Sequence, residues 1–450
     1  MVTPPARALL ARDLEVVTVT DTSVIITWFT GSATEPDPYG QPAPVAADTE
    51  LLLGEPGRPG TLRTVVQDPA PTPYHYAEAT GLQPGRSYAY VARSAGQDAA
   101  QTSLQFPGSR GSLDVPGVVT TLPTPPGRYL FTIALAADTH VGEMVSGVVA
   151  GGWPQAFRQD PGRPPYPEVM LTGMLAELSQ RHRPAALVVA GDMTAEALPQ
   201  QVARARELLD GWGHLGTDYL VVRGNHDRPR TGAAWAAGTP VPGTNDHRDC
   251  WGDVFGRRRQ QLSAHELGGL RIIGLDTTTL DAASGTIDES QLRGLRETLT
   301  ADPDRPTLVF GHHPVTYESA VTTAAGPGFN LDQAKARELE DLYARAPGVF
   351  FHLAGHTHRN KATAAAGPAS AEFLEVSAVK EYPGGYSLLR VHTGGYLVSF
   401  CRTRAELALR WSQRTRAEYF GIFPHYALGT IADRNHTVRR DLSGLRSVSQ

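Results

Sequence analysis

The chain has 450 residues, a formal net charge of -5, and 41% hydrophobic against 19% charged residues, the balance of a globular protein long enough for two cores. That charge provides no basic field for a nucleic-acid duplex or an anionic membrane surface, and only two cysteines, Cys250 and Cys401, neither in a CxxC pair, exclude a disulfide scaffold and a thiolate zinc site while leaving one isolated bridge open. No early stretch is apolar enough for a secretory leader and none approaches the roughly 18 apolar residues of a spanning helix, so a soluble, cytoplasmic protein is expected.

Residues 8–123 read as all-β. The runs 14–20 and 23–30 are rich in β-branched and aromatic residues and are joined by a short turn at Asp21 and Thr22. In the second run Val24, Ile26 and Trp28 share one face at period two, which places Trp28 in a sandwich core. The Pro-, Gly- and Ala-rich stretch 31–47 suits an exposed loop. Leu82, Pro84 and Gly85 precede Tyr88 and the alternating strand 88–93, the pattern of a tyrosine corner in an immunoglobulin-like sandwich. A Pro-rich stretch at 121–127 makes a stiff linker and a domain boundary.

From residue 128 the pattern changes to strands alternating with helices. Short apolar runs at 129–136, 185–190, 219–222, 271–275, 307–310 and 349–353 suit strands buried on both faces. Amphipathic stretches at 168–181, 199–211, 289–300 and 331–345 predict covering helices. Further strands are expected at 372–376, 385–390 and 396–401, which takes this domain to residue 403. Residues 404–450 hold a closing helix over 404–418 and a tail without an assignment.

Five polar turns follow the apolar runs almost without a gap: Asp138-Thr139-His140, Gly191-Asp192, Gly224-Asn225-His226-Asp227, Gly311-His312-His313 and Gly355-His356-Thr357-His358. The C-terminal ends of buried strands are where α/β sheets place their chemistry. Carboxylate, imidazole and amide oxygen are ligands suited to Mn, Fe, Zn or Co, and a pair of such ions forms a clamp for phosphoryl transfer. In this order the turns resemble those of the calcineurin-like metallophosphoesterase superfamily, over roughly residues 129–400. The N-terminal region is similar to the fibronectin type III-like domain of purple acid phosphatases.

The resemblance implies a four-layer α/β/β/α sandwich with two mixed sheets and two divalent transition-metal ions. Carried over turn by turn, Asp138, His140, Asp192 and His358 would hold one ion, and Asp192, Asn225, His312 and His356 the other, with Asp192 bridging. It also implies hydrolysis of a small phosphoester by in-line attack of a hydroxide shared by the metals. His226 would bind a phosphoryl oxygen or protonate the leaving alkoxide, with Asp227 orienting it.

Two departures narrow the resemblance. Met193, Thr194 and Ala195 follow Asp192 where purple acid phosphatases supply a Tyr ligand to ferric iron, and the first turn ends in His140 where they have Gly. The site is thus closer to class III cyclic-nucleotide phosphodiesterases and glycerophosphodiesterases, and a phosphodiester is the expected substrate. A phosphomonoesterase using the same site, and an inert binding protein using the sandwich, are the alternatives. Candidate substrate contacts are Arg228, His313 and His247, on or beside long loops at 141–167, 228–251 and 314–329. Asp276 reads as structural, and His75 and His352 as satisfied or surface histidines. The scarcity of lysine beside arginine points to a GC-rich bacterial genome.

Overall fold

A computed structural model describes residues 9–38, 40–101, 117–147, 156–228, 248–280, 282–421 and 423–448. The N-terminal part is two antiparallel sheets facing one core. One contains Leu9–Val19, Ser23–Pro36, Pro42–Pro44 and Tyr74–Thr80; the other contains Arg63–Thr72, Ala47–Gly54, Ser87–Ser94, Gln97–Asp98 and Val118–Thr120. Alternation turns Val24, Ile26 and Trp28 onto Leu51, Leu53, Tyr90 and Ala92 of the opposite sheet. Trp28 stacks on His75 with ring centroids 4.7 Å apart and donates its indole N–H to Ser94 Oγ at 2.8 Å. His75 is satisfied in turn by Thr30 and Thr49, at 2.9 and 2.8 Å. At the corner, the Gln83 N–H donates to Tyr88 Oη at 2.9 Å.

One expectation fails here. The second strand does not give way to a loop at Gly31 but runs to Pro36, because its extension has partners on both sides: Leu9 opposite Ser32 and Leu10 opposite Gly31 on one, Pro44 opposite Gly31 and Pro42 opposite Pro36 on the other. Ladder hydrogen bonds outweigh the composition.

The remainder contains two six-stranded mixed sheets. The first runs Tyr219–Val221, Ala186–Val189, Tyr129–Ala136, Gly385–His392, Gly395–Arg402 and Asn435–Arg439; the second runs Ser263–Leu267, Leu270–Gly274, Thr307–Phe310, Val349–Ala354, Glu372–Glu375 and Lys361–Ala364. Residues alternate between faces. Ile133, Leu135, Val188 and Leu220 meet Ile272, Leu308, Phe351 and Leu353 in a core between the sheets. Ala134, Ala136, Leu187 and Val189 face outward onto the helices Tyr166–Glu177, Pro199–Asp210 and Glu406–Thr415. On the far side Ile273 and Val309 pack against Glu289–Ala301 and Gln333–Ala344. The layers are therefore helix, sheet, sheet, helix. The C-terminal tail, unassigned from sequence, returns as Asn435–Arg439 to extend the first sheet beside Gly395–Arg402. No helix among the described residues is long and apolar enough to cross a membrane, and both cysteines are buried and unbridged.

The two parts meet at a buried charge cluster. Glu15 accepts hydrogen bonds from Tyr382 Oη at 2.7 Å, Arg416 Nε at 2.9 Å and Arg402 Nη2 at 2.8 Å. Burial alone would raise its pKa, but the guanidiniums of Arg416 and Arg402 reverse this and lower it to about 2. A carboxyl with a depressed folded pKa stabilises the fold above its unfolded pKa and loses that contribution as pH falls toward the folded value. Stability is therefore expected to decline from about pH 4.5 to about pH 2 by an amount on the order of 3 kcal/mol from this group. Denaturant midpoints across that window should fall less steeply in Glu15→Gln than in the parent.

Candidate metal centre

All five polar turns leave the C-terminal ends of strands: three from the first sheet, ending at Ala136, Val189 and Val221, and two from the second, ending at Phe310 and Ala354. They interlock within each sheet, and His356 N–H crosses the seam between the sheets to Asp138 Oδ2 at 3.0 Å. Asp138 N–H donates to Gly191 O and His140 N–H to Asp192 O, both at 3.0 Å, and Gly355 N–H reaches His312 O at 3.0 Å. Asp138, His140, Asp192, His356 and His358 all have positive φ, between 44° and 71°. Such backbone is costly for residues with a Cβ, and its concentration in one site marks a place where function sets the geometry. Gly224 is required by close approach: a Cβ there would lie 2.2 Å from Asp192 Oδ1.

These turns bring seven side chains together. Asp192 Oδ2 lies 3.2 Å from His312 Nε2 and 3.5 Å from His140 Nε2, while its Oδ1 accepts the His226 N–H at 2.7 Å. On one side Asp138 Oδ1 is 3.4 Å from His358 Nε2 and 3.9 Å from His140 Nε2. On the other, His312 Nε2 is 3.0 Å from Asn225 Oδ1 and 3.1 Å from His356 Nδ1. Three groups of donors, Asp138 with His140 and His358, His140 with Asp192 and His226, and Asp192 with His312 and His356, each lie within 4.8 Å of one another.

The outward nitrogen of each imidazole fixes which nitrogen faces inward. His312 Nδ1 donates to the Ala190 carbonyl at 2.8 Å and His356 Nε2 to the Phe329 carbonyl at 2.7 Å; a carbonyl only accepts, so in the neutral rings the inward nitrogens, Nε2 and Nδ1, present lone pairs. His358 Nδ1 rests on Glu381 Oε1 at 2.7 Å, and His140 Nδ1 lies 2.9 Å from Glu143 Oε2. Converging lone pairs and carboxylates repel unless a cation lies between them. Donors about 2.1 Å from a four- or six-coordinate transition metal stand roughly 3.0–3.4 Å apart, close to the separations here.

Electrostatics agree. Burial would raise Asp138 and Asp192, yet the charges of His358 and His312 hold both carboxyls well below their ordinary value. Burial depresses every imidazole, but surrounding carboxylates reverse this for His312, raised to about 8, and for His358, raised to about 9. His356 stays well below its usual value, through burial and the charges of His313 and His312.

A family model described as calcineurin-like phosphoesterase matches residues 131–360, about half of the chain. The chain belongs to that family. Among solved structures it is similar to a dimetal phosphatase from Danio rerio at 15% identity, covering 60% of this chain and 96% of that one with a TM-score of 0.43. It is also similar to PhoD at 12% identity, covering 87% and 85% with a TM-score of 0.39, and to a 5'-nucleotidase from Candida albicans at 12% identity, covering 60% and 49% with a TM-score of 0.31. No curated protein matches. The phosphoesterase is thus a metal-dependent hydrolase of phosphoester bonds, with donor clusters for divalent ions at the strand ends.

Other expected site residues sit differently in the phosphoesterase. Asp227 does not orient His226. Its oxygens accept from Met193 N, Thr194 N, Thr194 Oγ1 and Gly224 N at 2.7–3.1 Å, so it locks the Gly191-Asp192 turn onto the Gly224-Asn225 turn. His226 is held by Nδ1 on the Ala195 carbonyl at 2.7 Å, its ring 4.6 Å from that of His140. His313 is buried, with Nδ1 against Thr277 Oγ1 at 2.7 Å and Nε2 against Ala283 O at 3.0 Å, so both ring nitrogens are engaged inside the protein. Arg228 is also buried and donates to the Asn225 carbonyl, bracing the turn rather than extending over it. Asp276 is structural, accepting from Thr278 and Gln260. His247 lies outside the described residues. Sequence reading missed Glu143, Lys380 and Glu381. Glu143 stood three residues after His140 and was legible in principle; Lys380 and Glu381 come from a connection without a motif.

Asp192→Ala should abolish stable metal uptake and essentially all turnover, as measured by elemental analysis and a phosphoester assay, because the carboxylate that faces both donor groups would be gone. Metal binding must also displace the protons favoured on His312 and His358. Affinity is therefore expected to weaken as pH falls through about 9 and 8, and uptake at pH 7 to release protons, which calorimetry in buffers of different ionisation enthalpy would count.

Proposed function

We propose that the enzyme hydrolyses a small phosphodiester with two divalent transition-metal ions (Mn, Fe, Zn or Co). One would be held by Asp138, His140 and His358, the other by Asn225, His312 and His356, and Asp192 would be shared. The supporting observation is the position of Asp192 Oδ2, 3.2 Å from a nitrogen of one group and 3.5 Å from a nitrogen of the other. Ions bound there would supply positive charge toward the phosphoryl oxygens and would activate a water. The protein's part is to hold seven donors in place and to supply His226 at the edge of the cluster.

His226 acts on the phosphoryl group or the leaving oxygen. Its Nδ1–H is committed to the Ala195 carbonyl, which leaves Nε2 as the nitrogen that can exchange a proton. Burial lowers its pKa to about 4, so the ring is neutral near pH 7. An arriving phosphoester anion raises the pKa of a nearby imidazole, and the ring takes up with the substrate the proton it later delivers to the alkoxide. Asp227 contributes by fixing the turn, not by touching the ring.

The preference for a diester rests on His140 closing the first turn and on Met193, Thr194 and Ala195 following Asp192, the departures that set this chain apart from purple acid phosphatases. The N-terminal unit, residues 8–123, is proposed to be a separate fibronectin type III-like domain. Its facing sheets and the bond from Gln83 N–H to Tyr88 Oη support that reading.

Metal-loaded enzyme should turn over bis-p-nitrophenyl phosphate faster than p-nitrophenyl phosphate, and activity on the monoester alone would replace this reading with a phosphatase. His226→Ala should keep its metal content and lose about 10²–10⁴ in kcat. Loss of metal from that variant would instead make His226 a ligand.

A further inference from the structure

The two donor groups are backed differently. His312 and His356 rest their outward nitrogens on neutral backbone carbonyls, of Ala190 and Phe329. His140 and His358 both face carboxylates, Glu143 Oε2 at 2.9 Å and Glu381 Oε1 at 2.7 Å. The remaining oxygens of those carboxylates meet at one group, the ammonium of Lys380, 2.6 Å from Glu143 Oε1 and 3.1 Å from Glu381 Oε2. Tyr166 Oη donates to Glu143 and Ser146 Oγ to Glu381, both at 2.5 Å. Lys380 is only 4% exposed. Its own backbone is tied to the same turn, N–H to Asp138 O at 3.3 Å, and Trp411 Nε1 donates to its carbonyl at 2.9 Å.

We propose that Lys380 is a positioning residue for the Asp138, His140 and His358 subsite: its ammonium clamps Glu143 and Glu381 into the orientation that aims both histidines at one metal ion. The ammonium does this in two ways. It fixes the distance between two carboxylates that would otherwise repel across the back of the subsite. It also engages their outer oxygens, so that the inner ones stay turned to the imidazoles, Glu143 Oε2 beside His140 Nδ1 and Glu381 Oε1 beside His358 Nδ1. Burial disfavours the charge on Lys380, but Glu143 and then Glu381 more than reverse this and raise its pKa, so it stays charged. Lys380 is one of only three lysines in the chain, with Lys335 and Lys361, among 41 basic residues. A compact ammonium fits between two carboxylates converging from different segments, where a planar guanidinium demands more room. The other donor group has no equivalent, since carbonyl acceptors need no counter-charge.

The test is a cobalt(II) titration of the metal-stripped full-length protein, followed by visible absorption and equilibrium dialysis. The step lost in His358→Ala identifies the Lys380-backed subsite, and the step lost in His356→Ala the other. Lys380→Met should weaken the first step by about 10–100-fold and shift its absorption bands, leaving the second step within a few-fold of the parent. Glu143→Gln and Glu381→Gln, which keep the side-chain shape, should each weaken the same step and give the answer if Lys380→Met does not fold. Unchanged or tighter binding at the first step, or equal weakening of both, would overturn the proposal. It rests on the two-ion reading of the site: a parent protein that takes up fewer than two cobalt ions would remove that reading, whereas two steps indifferent to Lys380, Glu143 and Glu381 would remove only the clamp.

Discussion

Everything in the catalytic half is arranged around one carboxylate held in a strained turn. Asp192 has a φ of 52°, its Oδ1 is taken by the His226 N–H, and its Oδ2 lies near both His312 and His140. In the two-ion reading proposed above, cations a few ångströms apart would repel strongly in a buried site, and an anion shared between them would be the direct remedy. The turn survives because its surroundings over-determine it. Asp227 bonds to Met193, Thr194 and Gly224 together, and the missing Cβ of Gly224 lets the next turn pass against the carboxylate.

Stacking two sheets is what makes such a site possible. Apolar residues on the inner faces, Ile133, Leu135 and Val188 against Leu308, Phe351 and Leu353, bury the seam in hydrocarbon. That packing aligns the strand ends of both sheets along one edge, and the polar turns emerge there side by side. Charges gathered at this edge are paired over two layers outward. Inner imidazoles meet Asp138 and Asp192, and behind two of them stand Glu143 and Glu381 with Lys380 between. A buried charge without a partner is costly, so the layers depend on one another.

The N-terminal sheets dock through the same logic. Glu15, carried on the strand Leu9–Val19, ends among Arg402, Arg416 and Tyr382, and Arg434 reaches back to the Val17 carbonyl at 3.1 Å. Residues from 402 onward thus serve the join between the two parts, while Asn435–Arg439 completes the edge of the first sheet. Removing either sign from the cluster would strand the other in an apolar setting.

The sequence by itself determined the class of the fold and the candidate donors of the site. Alternating apolar runs, helices at 3.6 periodicity and a polar turn after each of five strands are local properties, set by neighbours in the chain, and they were legible without coordinates. Roles that depend on what lies opposite were decided only by tertiary structure. Asp227, next to His226 in sequence, proved to serve the Asp192 turn; His313, adjacent to His312, proved to be tied to Thr277 and Ala283; and the strand through Gly31 was extended by pairing with Leu9–Arg12 and Pro42–Pro44. Lys380 and Glu381 reach the site from beyond its last motif. A side chain's partner is chosen by packing across the seam and not by sequence distance, so residue type announced the chemistry while three-dimensional placement assigned the work.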